Sequence, residues 1–219
     1  METTKPSASP FLQKHSAALR IWHWLLFAFI AISIVCVIFG KFVLNGWQNT
    51  GMVQNVLKDK GAIVTEDQAR AVAHEYNDKA WDIHKVVGFG ICILLLSRII
   101  IELTQPGGEK LKTRIGAAFG IYKLNDLRKT EYRHYLIVKY TYLAFFILLF
   151  IMGITGLSLA FDDDIASLHH IHRPVKEVHE FCQWIMYGFI FFHLAGVFRA
   201  ELTKHKGVVS GMIHGEGSE

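Results

Sequence analysis

The sequence has few charged residues, few prolines and only three cysteines. Asp, Glu, Lys and Arg make up 19% of its 219 residues, and four residues are proline. Hydrophobic residues make up 52% and are gathered in long blocks, which argues against a soluble domain and favours a bundle of membrane helices. The net charge of +4 is modest and no recognition motif for nucleic acid is present, so we expect a lipid bilayer and no nucleic acid as a partner.

The three cysteines do not form a metal or attachment motif. Cys36, Cys92 and Cys182 each lie inside an apolar block, and the sequence contains neither C-x-x-C nor C-x-x-C-H. A zinc ribbon and covalent haem attachment are therefore not indicated, and we expect small buried core residues. Motifs for nicotinamide, flavin and iron–sulfur clusters are also absent, so another protein would have to handle any primary redox substrate.

Four apolar blocks predict four membrane-spanning helices. They cover about residues 21–44, 81–103, 135–161 and 178–200. The predicted fold class is an all-α integral membrane protein, a four-transmembrane-helix bundle over residues 21–205 with tails at 1–20 and 206–219. The first block is too long for the apolar region of a signal peptide and no clean cleavage site follows it, so we expect it to be retained.

The connections between the blocks carry turn and cap signals. Residues 45–80 form a polar loop in which Thr65-Glu-Asp-Gln68 has the form of a capping box, and we expect a short surface helix there. Pro106-Gly-Gly108 is expected to end the second span. Gly153 and Gly156 are three residues apart, a pattern of small residues that allows two helices to approach closely.

The distribution of Lys and Arg predicts the orientation. Thirteen of them lie in the two tails and in the basic loop 104–135, whereas six lie in the other two loops, mixed with many acids. Because the more basic side of a membrane protein is usually cytoplasmic, both termini are predicted to be cytoplasmic. The tryptophans fall near span ends, as in an aromatic belt, at positions 22, 24, 47, 81 and 184.

Two histidines on the fourth block indicate a function. His179 and His193 are 14 residues apart, so on one helix they leave nearly the same face and lie about 21 Å apart along the axis. That separation places one near each side of a membrane. Polar side chains within a span are costly and usually functional, and we interpret this helix as the support of two cofactors.

Two further histidines complete two pairs at matching depths. His23 lies near the cytoplasmic end of the first span, with His193, and His84 lies near the opposite face, with His179. A single histidine near a span end is usually an interfacial residue, but four in two pairs favour metal ligation by imidazole inside a helix bundle. We therefore predict two haems, each held by two histidines, which leaves no open iron position and suits electron transfer. Each imidazole should donate its other ring nitrogen to a carbonyl or carboxylate.

Other polar residues can each be interpreted in two ways. Arg20, Arg98 and Arg199 lie near the cytoplasmic span ends, where they can bind haem propionates or a quinone oxygen, or simply anchor the helices by snorkelling. The cluster His169-His-Ile-His172 suggests a metal site, but its histidines share a side only in an extended segment. A solvated loop is favoured there, with a haem-propionate contact or a partner surface as the alternative.

The histidine motifs resemble those of the prokaryotic cytochrome b561 family, which includes the di-haem cytochrome b subunits of nickel–iron hydrogenases and formate dehydrogenases. The resemblance covers about residues 15–205 without the loop 45–80. It implies a four-helix bundle, two b haems and quinone chemistry, with His23 and His193 on the cytoplasmic haem and His84 and His179 on the outer one. The matching segments are Arg20-Ile-Trp-His23-Trp24, Trp81-Asp-Ile-His84-Lys-Val-Val-Gly88 with Arg98 downstream, His179-Glu180, and His193.

The predicted function is electron transfer in the bacterial inner membrane. The chain would pass electrons between an outer-face dehydrogenase, hydrogenase or cytochrome and menaquinone or ubiquinone. One alternative is a stand-alone quinone-linked superoxide oxidase, in which Lys85, Arg173 and Lys176 attract the anion, although acids in the same loops offset that field. A haem-free membrane anchor is the third possibility.

Overall fold

The computed structural model describes residues 17–104, 110–124, 129–162, 164–202 and 211–213. The described part is helical and contains no strand. In chain order the elements are α1 (Ala17–Ile38), a π-helical turn (Phe39–Val43), α2 (Gly46–Asp59), α3 (Glu66–Thr104), α4 (Leu111–Leu124), α5 (Lys129–Ala160), α6 (Ala166–His169) and α7 (His172–Leu202).

Four of these elements are long and apolar enough to cross a membrane. They are Ala17–Val43, Glu66–Thr104, Tyr132–Ala160 and His172–Leu202. Many of their large apolar side chains are exposed on the outside of the bundle, which suits contact with lipid. The predicted fold class, an all-α bundle of four transmembrane helices, is confirmed. The cytoplasmic position of the termini stays a prediction, since most of both tails lies outside the described residues.

The long helices pack in sequence around one core. α1 packs on α3, α3 on α5, and α5 on α7, whereas α1 and α7 approach less closely in the described residues. The core takes residues from all four helices: Leu26, Leu95, Leu148, Leu149, Cys182 and Met186. Cys36 is buried as well, and Cys92 is half-buried. All three thiols are free, in agreement with the expected core role.

One end of the bundle, the α2 end, carries a helical hairpin. The capping box is formed, because the Thr65 N–H donates to Gln68 Oε1 over 2.9 Å and the Gln68 N–H donates to Thr65 Oγ1 over 3.2 Å. The helix it opens is not a short surface helix but α3, which continues without a break into the span. Ala69 and Ala73 are buried where α2 packs on this extension. Small residues on this face let the two helices approach closely.

The opposite end, the α4 end, contains a helix that the sequence analysis did not predict. The basic loop 104–135 includes α4, whose Ala118 packs against Tyr132, Tyr135 and Leu136 of α5. Its first residue is capped by α3, because the Leu111 N–H donates to Glu102 Oε1 over 2.6 Å. The predicted stop at Pro106-Gly-Gly108 lies outside the described residues.

Candidate functional site

An apolar cavity of about 330 Å³ lies between the four long helices at the α2 end. His84 of α3 and His179 of α7 both line it. Most of the remaining wall is apolar, including Leu149 and Met186, which also belong to the core. Two predicted ligands from separate helices therefore face one largely apolar cavity.

The ring of His179 is fixed by a hydroxyl group of α5. Thr155 Oγ1 lies 2.8 Å from His179 Nδ1 and also 2.8 Å from the carbonyl oxygen of Ile151. The carbonyl can only accept, so in one arrangement the hydroxyl hydrogen of Thr155 goes to Ile151 and Thr155 Oγ1 accepts from the Nδ1–H of His179. The arrangement keeps the Nε2 lone pair free to bind a metal.

His84 is oriented in a similar way by α1. Ser33 Oγ lies 3.2 Å from His84 Nδ1, and the Trp81 ring packs edge-on against the imidazole at a centroid distance of 5.8 Å. The partners expected from the sequence were a carbonyl or carboxylate, and this was wrong for both histidines. The reason is that helix carbonyls point along the helix axis and not toward a neighbouring helix, so Ser33 and Thr155 supply the polar contact through their side chains.

Two glycines make room for these contacts. A Cβ added at Gly156 would lie 3.3 Å from His179 Cε1, and one at Gly153 would lie 3.4 Å from Cys92 Sγ. Both glycines line the cavity. The sequence predicted that Gly153 and Gly156 allow close helix packing. In the structure they also leave space for the imidazole and for the cavity.

Basic side chains surround part of the cavity wall. Lys41, Lys85 and Lys176 line it together with one acid, Glu180, and the Lys41 Nζ lies 3.2 Å from Glu180 Oε1. This ion pair joins the π-helical turn to α7 across the more open side of the bundle. π-Helical turns often occur at functional sites. The one inserted residue of such a turn does not change the hydropathy pattern, so the sequence did not indicate Lys41 as a residue of the site.

The turn that carries Lys41 is held by α3. Gly40 packs so closely on the Trp81 ring that an added Cβ would lie 3.1 Å from Trp81 Cε2. Asn77 Nδ2 donates to the Gly40 carbonyl over 2.7 Å, and Trp81 Nε1 donates to Asn77 Oδ1 over 2.9 Å. Since Trp81 also touches His84, the same tryptophan positions the π-helical turn and one candidate ligand.

The histidine cluster before α7 is not a purely solvated loop. His172 Nδ1 lies 2.7 Å and His169 Nδ1 3.4 Å from Oδ2 of Asp162, a carboxylate that is largely buried. His172 also lines the cavity. No group of three or more possible metal ligands occurs among the residues with described positions, so the cluster acts here as a link between the end of α5 and the start of α7.

The other two predicted ligands lie outside this cavity. His23 of α1 is half-buried and meets Trp24 edge-on, whereas His193 of α7 is exposed and stacks on Phe189 at a centroid distance of 6.0 Å. Both lie further toward the α4 end. Neither lines the cavity of His84 and His179, as expected if the two pairs belong to two depths, and their pairing stays a prediction.

The three arginines differ in their surroundings. Arg98 is largely buried and bonded to neighbours on α3 and α5, whereas Arg199 is exposed in the last turn of α7. Arg20 is half-buried, and its Nε and Nη1 atoms are buried without a hydrogen-bond partner among the described residues. Snorkelling therefore suits Arg199 best, and the other two are candidates for binding a polar group.

The residues around the α2-end cavity fit a haem. Two imidazoles reach the cavity from facing helices, and the Thr155 contact at Nδ1 leaves the Nε2 of His179 available to a metal. The apolar wall suits a porphyrin ring, and Lys41, Lys85 and Lys176 can pair with carboxylates such as propionates.

Comparison with known proteins agrees with this arrangement. The family model for prokaryotic cytochrome b561 matches residues 14–215. No curated protein and no solved structure gives a significant match. The match spans nearly the whole chain and includes all four helices and all four candidate ligands, so the chain belongs to the prokaryotic cytochrome b561 family.

Proposed function

We propose that this membrane b-type cytochrome passes electrons through two b haems, each held by two histidines, between a redox partner on the outer face and the quinone pool. The observation that carries the proposal is the meeting of His84 and His179 in one apolar cavity, with the Nδ1 of each imidazole held by a hydroxyl group. In the proposed pairing, these two hold the outer haem, and His23 and His193 hold the cytoplasmic one.

The protein side of this function is orientation and exclusion of water. A b haem, when bound, supplies a one-electron carrier, and two imidazole ligands leave no site for oxygen. Thr155 and Ser33 fix the two rings, Leu149 and Met186 keep the cavity apolar, and Lys176 offers positive charge near its wall. These features suit a group that changes its charge while its ligands stay in place.

The proposed partners follow from what the chain lacks and from its orientation. Without a nicotinamide, flavin or iron–sulfur motif, the chain depends on an outer-face dehydrogenase, hydrogenase or cytochrome as donor. Menaquinone or ubiquinone takes up two electrons and two protons to give the quinol on the cytoplasmic side, or the reverse. The excess of Lys and Arg in the tails and the loop 104–135 supports cytoplasmic termini in a bacterial inner membrane.

The direct test is electron exchange with a quinol. Purified full-length protein, loaded with haem and oxidised, should show the absorbance bands of reduced b haem when a short-chain ubiquinol or menaquinol is added. Reduction by dithionite alone, with no response to either quinol, would contradict the quinone link. Protein that takes up no haem during expression with ample haem supply would favour the membrane anchor.

The superoxide oxidase alternative keeps one structural argument. Lys41, Lys85 and Lys176 all line the cavity, with Glu180 as the acid among them, and a positive wall attracts small anions. The isolated chain should then reduce quinone with electrons from superoxide, without any partner protein. Replacing Lys85 and Lys176 with glutamine should slow that reaction. A rate that matches a haem-free control would exclude this alternative.

Replacing Thr155 with valine should weaken haem binding at the outer site. Valine keeps the volume but removes the oxygen that accepts the His179 Nδ1–H, and loss of such a partner of a metal ligand usually lowers affinity by about 10–100-fold. The measurement is retention of haem during dialysis, followed by visible absorbance.

Thr141→Val is the matched control for this change. Thr141 makes the same backbone contact, with its Oγ1 donating to the Ile137 carbonyl over 2.8 Å, but it lies on the exposed side of α5. We expect wild-type haem retention there. Equal losses in the two variants would show that the hydroxyl acts only within its own helix.

A further inference from the structure

A polar cluster lies inside the bundle at the α4 end, away from the cavity. Arg98 and Glu102 are the only charged residues between Val86 and Leu103. Arg98 Nη2 lies 3.2 Å from Glu102 Oε2, and Arg98 Nε donates to the hydroxyl of Tyr142 on α5 over 2.9 Å. The Arg98 side chain is only 13% exposed and that of Glu102 is 29% exposed. Charges at this depth are costly and usually have a function.

The cluster has hydrogen-bond donors left over. Arg98 Nη1 is buried and has no partner among the described residues. Tyr142 uses its oxygen to accept from Arg98, and none of the described residues receives its hydroxyl hydrogen. Two neighbouring groups therefore present N–H and O–H hydrogens that another acceptor can take up. A buried donor without an acceptor is destabilising, which favours a ligand here.

The charge of the cluster selects the kind of acceptor. Arg98 is already balanced by Glu102 at 3.2 Å, so the cluster is neutral as a whole. A carboxylate, such as a haem propionate, would add a net negative charge in a poorly hydrated place, where charge is expensive. A neutral carbonyl oxygen adds none. The unused donors therefore suit the carbonyl of an uncharged ligand better than an anion.

A chain of aromatic contacts joins the cluster to the inner histidine pair. The Tyr142 ring packs on Phe146 at a centroid distance of 4.6 Å, and Phe146 stacks on Trp22 at 5.8 Å. Trp22 precedes the candidate ligand His23 and is fixed by donation from its Nε1 to the Leu94 carbonyl over 2.9 Å. An acceptor at Tyr142 would thus lie near the haem predicted for His23 and His193.

We propose that Arg98 and Tyr142 form the binding site for a carbonyl oxygen of the quinone headgroup, with Glu102 balancing the arginine. The inference rests on the proposed function, because it names where the quinone of that function binds. Quinones enter from the lipid phase, and the apolar neighbours Ile99 and Leu143 are exposed on the bundle surface beside the cluster. The site takes ubiquinone or menaquinone, since both carry the same ring carbonyls.

Tyr142→Phe tests the site with least disturbance of packing. The ring and its contact with Phe146 remain, and only the hydroxyl is lost. We expect the quinol concentration for half-maximal haem reduction to rise about tenfold, as for the loss of one good hydrogen bond. Haem content and the midpoint potentials of both haems should stay at wild-type values. Tyr140→Phe, on the exposed face of the same helix, should change nothing.

A second variant avoids dependence on one substitution. Arg98→Gln with Glu102→Gln keeps the cluster neutral while removing the guanidinium donors, and it should raise the half-maximal quinol concentration by about tenfold or more. Values within twofold of wild type in both variants would overturn the inference. A shifted potential or lost haem with an unchanged quinol response would also overturn it, in favour of propionate binding. A wild-type protein that no quinol reduces would overturn the proposed function itself and this inference with it.

Discussion

Replacing His179 with alanine should remove one of two haems and leave the other in place. The imidazole is the α7 contribution to the α2-end cavity, and its Nδ1–H is held by Thr155 at 2.8 Å. Without it, His84 is the one of the four candidate ligands that remains at the cavity, and one imidazole is a poor anchor for a non-covalently bound haem. The haem-to-protein ratio should fall from about two to about one, measured as the pyridine haemochromogen.

Two control variants make this result specific. His170→Ala removes an exposed histidine between α6 and α7 and should leave both haems. His193→Ala should remove the other haem, so the two variants should lose different components in a redox titration. Retention of both haems in His179→Ala would show that the cavity does not bind haem. Loss of both would contradict the separate pairing of the four histidines.

The fold was predictable from the sequence because membrane helices depend on little besides length and hydropathy. The four apolar blocks correspond to the four long helices, and the fold class is confirmed. The depth of His179 and His193 followed from helix periodicity alone. α4 escaped prediction because only one of its faces is buried, where Ala118 meets α5, and its basic residues gave the segment the composition of a loop.

The partners of the candidate ligands could not be predicted because they depend on how neighbouring helices align. Thr155 lies between Gly153 and Gly156, and the sequence suggested only close packing there. Its contact with His179 exists because α5 and α7 bring these positions together. The hydroxyl oxygen lies 2.8 Å from both the Ile151 carbonyl oxygen and His179 Nδ1, so it bridges the backbone of α5 and the imidazole. The expected partner of His179 was a carbonyl or carboxylate, and the structure has the hydroxyl oxygen of Thr155 in that place.

The two ends of the bundle use polar groups differently. At the α2 end, Lys41 is balanced by Glu180, and the imidazoles are the groups with free lone pairs. At the α4 end, Arg98 is balanced by Glu102, and the free groups are hydrogen-bond donors. Lone pairs suit a metal, and donors suit a carbonyl. This difference supports a quinone at the α4 end, beside the haem proposed for His23 and His193.

Replacing Gly90 with alanine should loosen the contact between α1 and α3 and with it the outer haem site. A Cβ at Gly90 would overlap the ring of Phe29, and Phe29 is one helical turn from Ser33, the residue that contacts His84. Overpacking of this kind costs about 1–3 kcal/mol. We expect a lower midpoint of thermal unfolding in detergent and weaker retention of the outer haem.

The same substitution at Gly188 should have the opposite sign. An added Cβ at Gly188 meets no atom within 4 Å, so alanine there only gains helix propensity, about 0.5–1 kcal/mol. Its thermal midpoint should be equal to or above that of the wild type, with full haem content. If Gly90→Ala were as stable as Gly188→Ala, the ring of Phe29 would have room to move aside. The fit of Phe29 against Gly90 would then not be what sets the distance between α1 and α3 near Ser33 and His84.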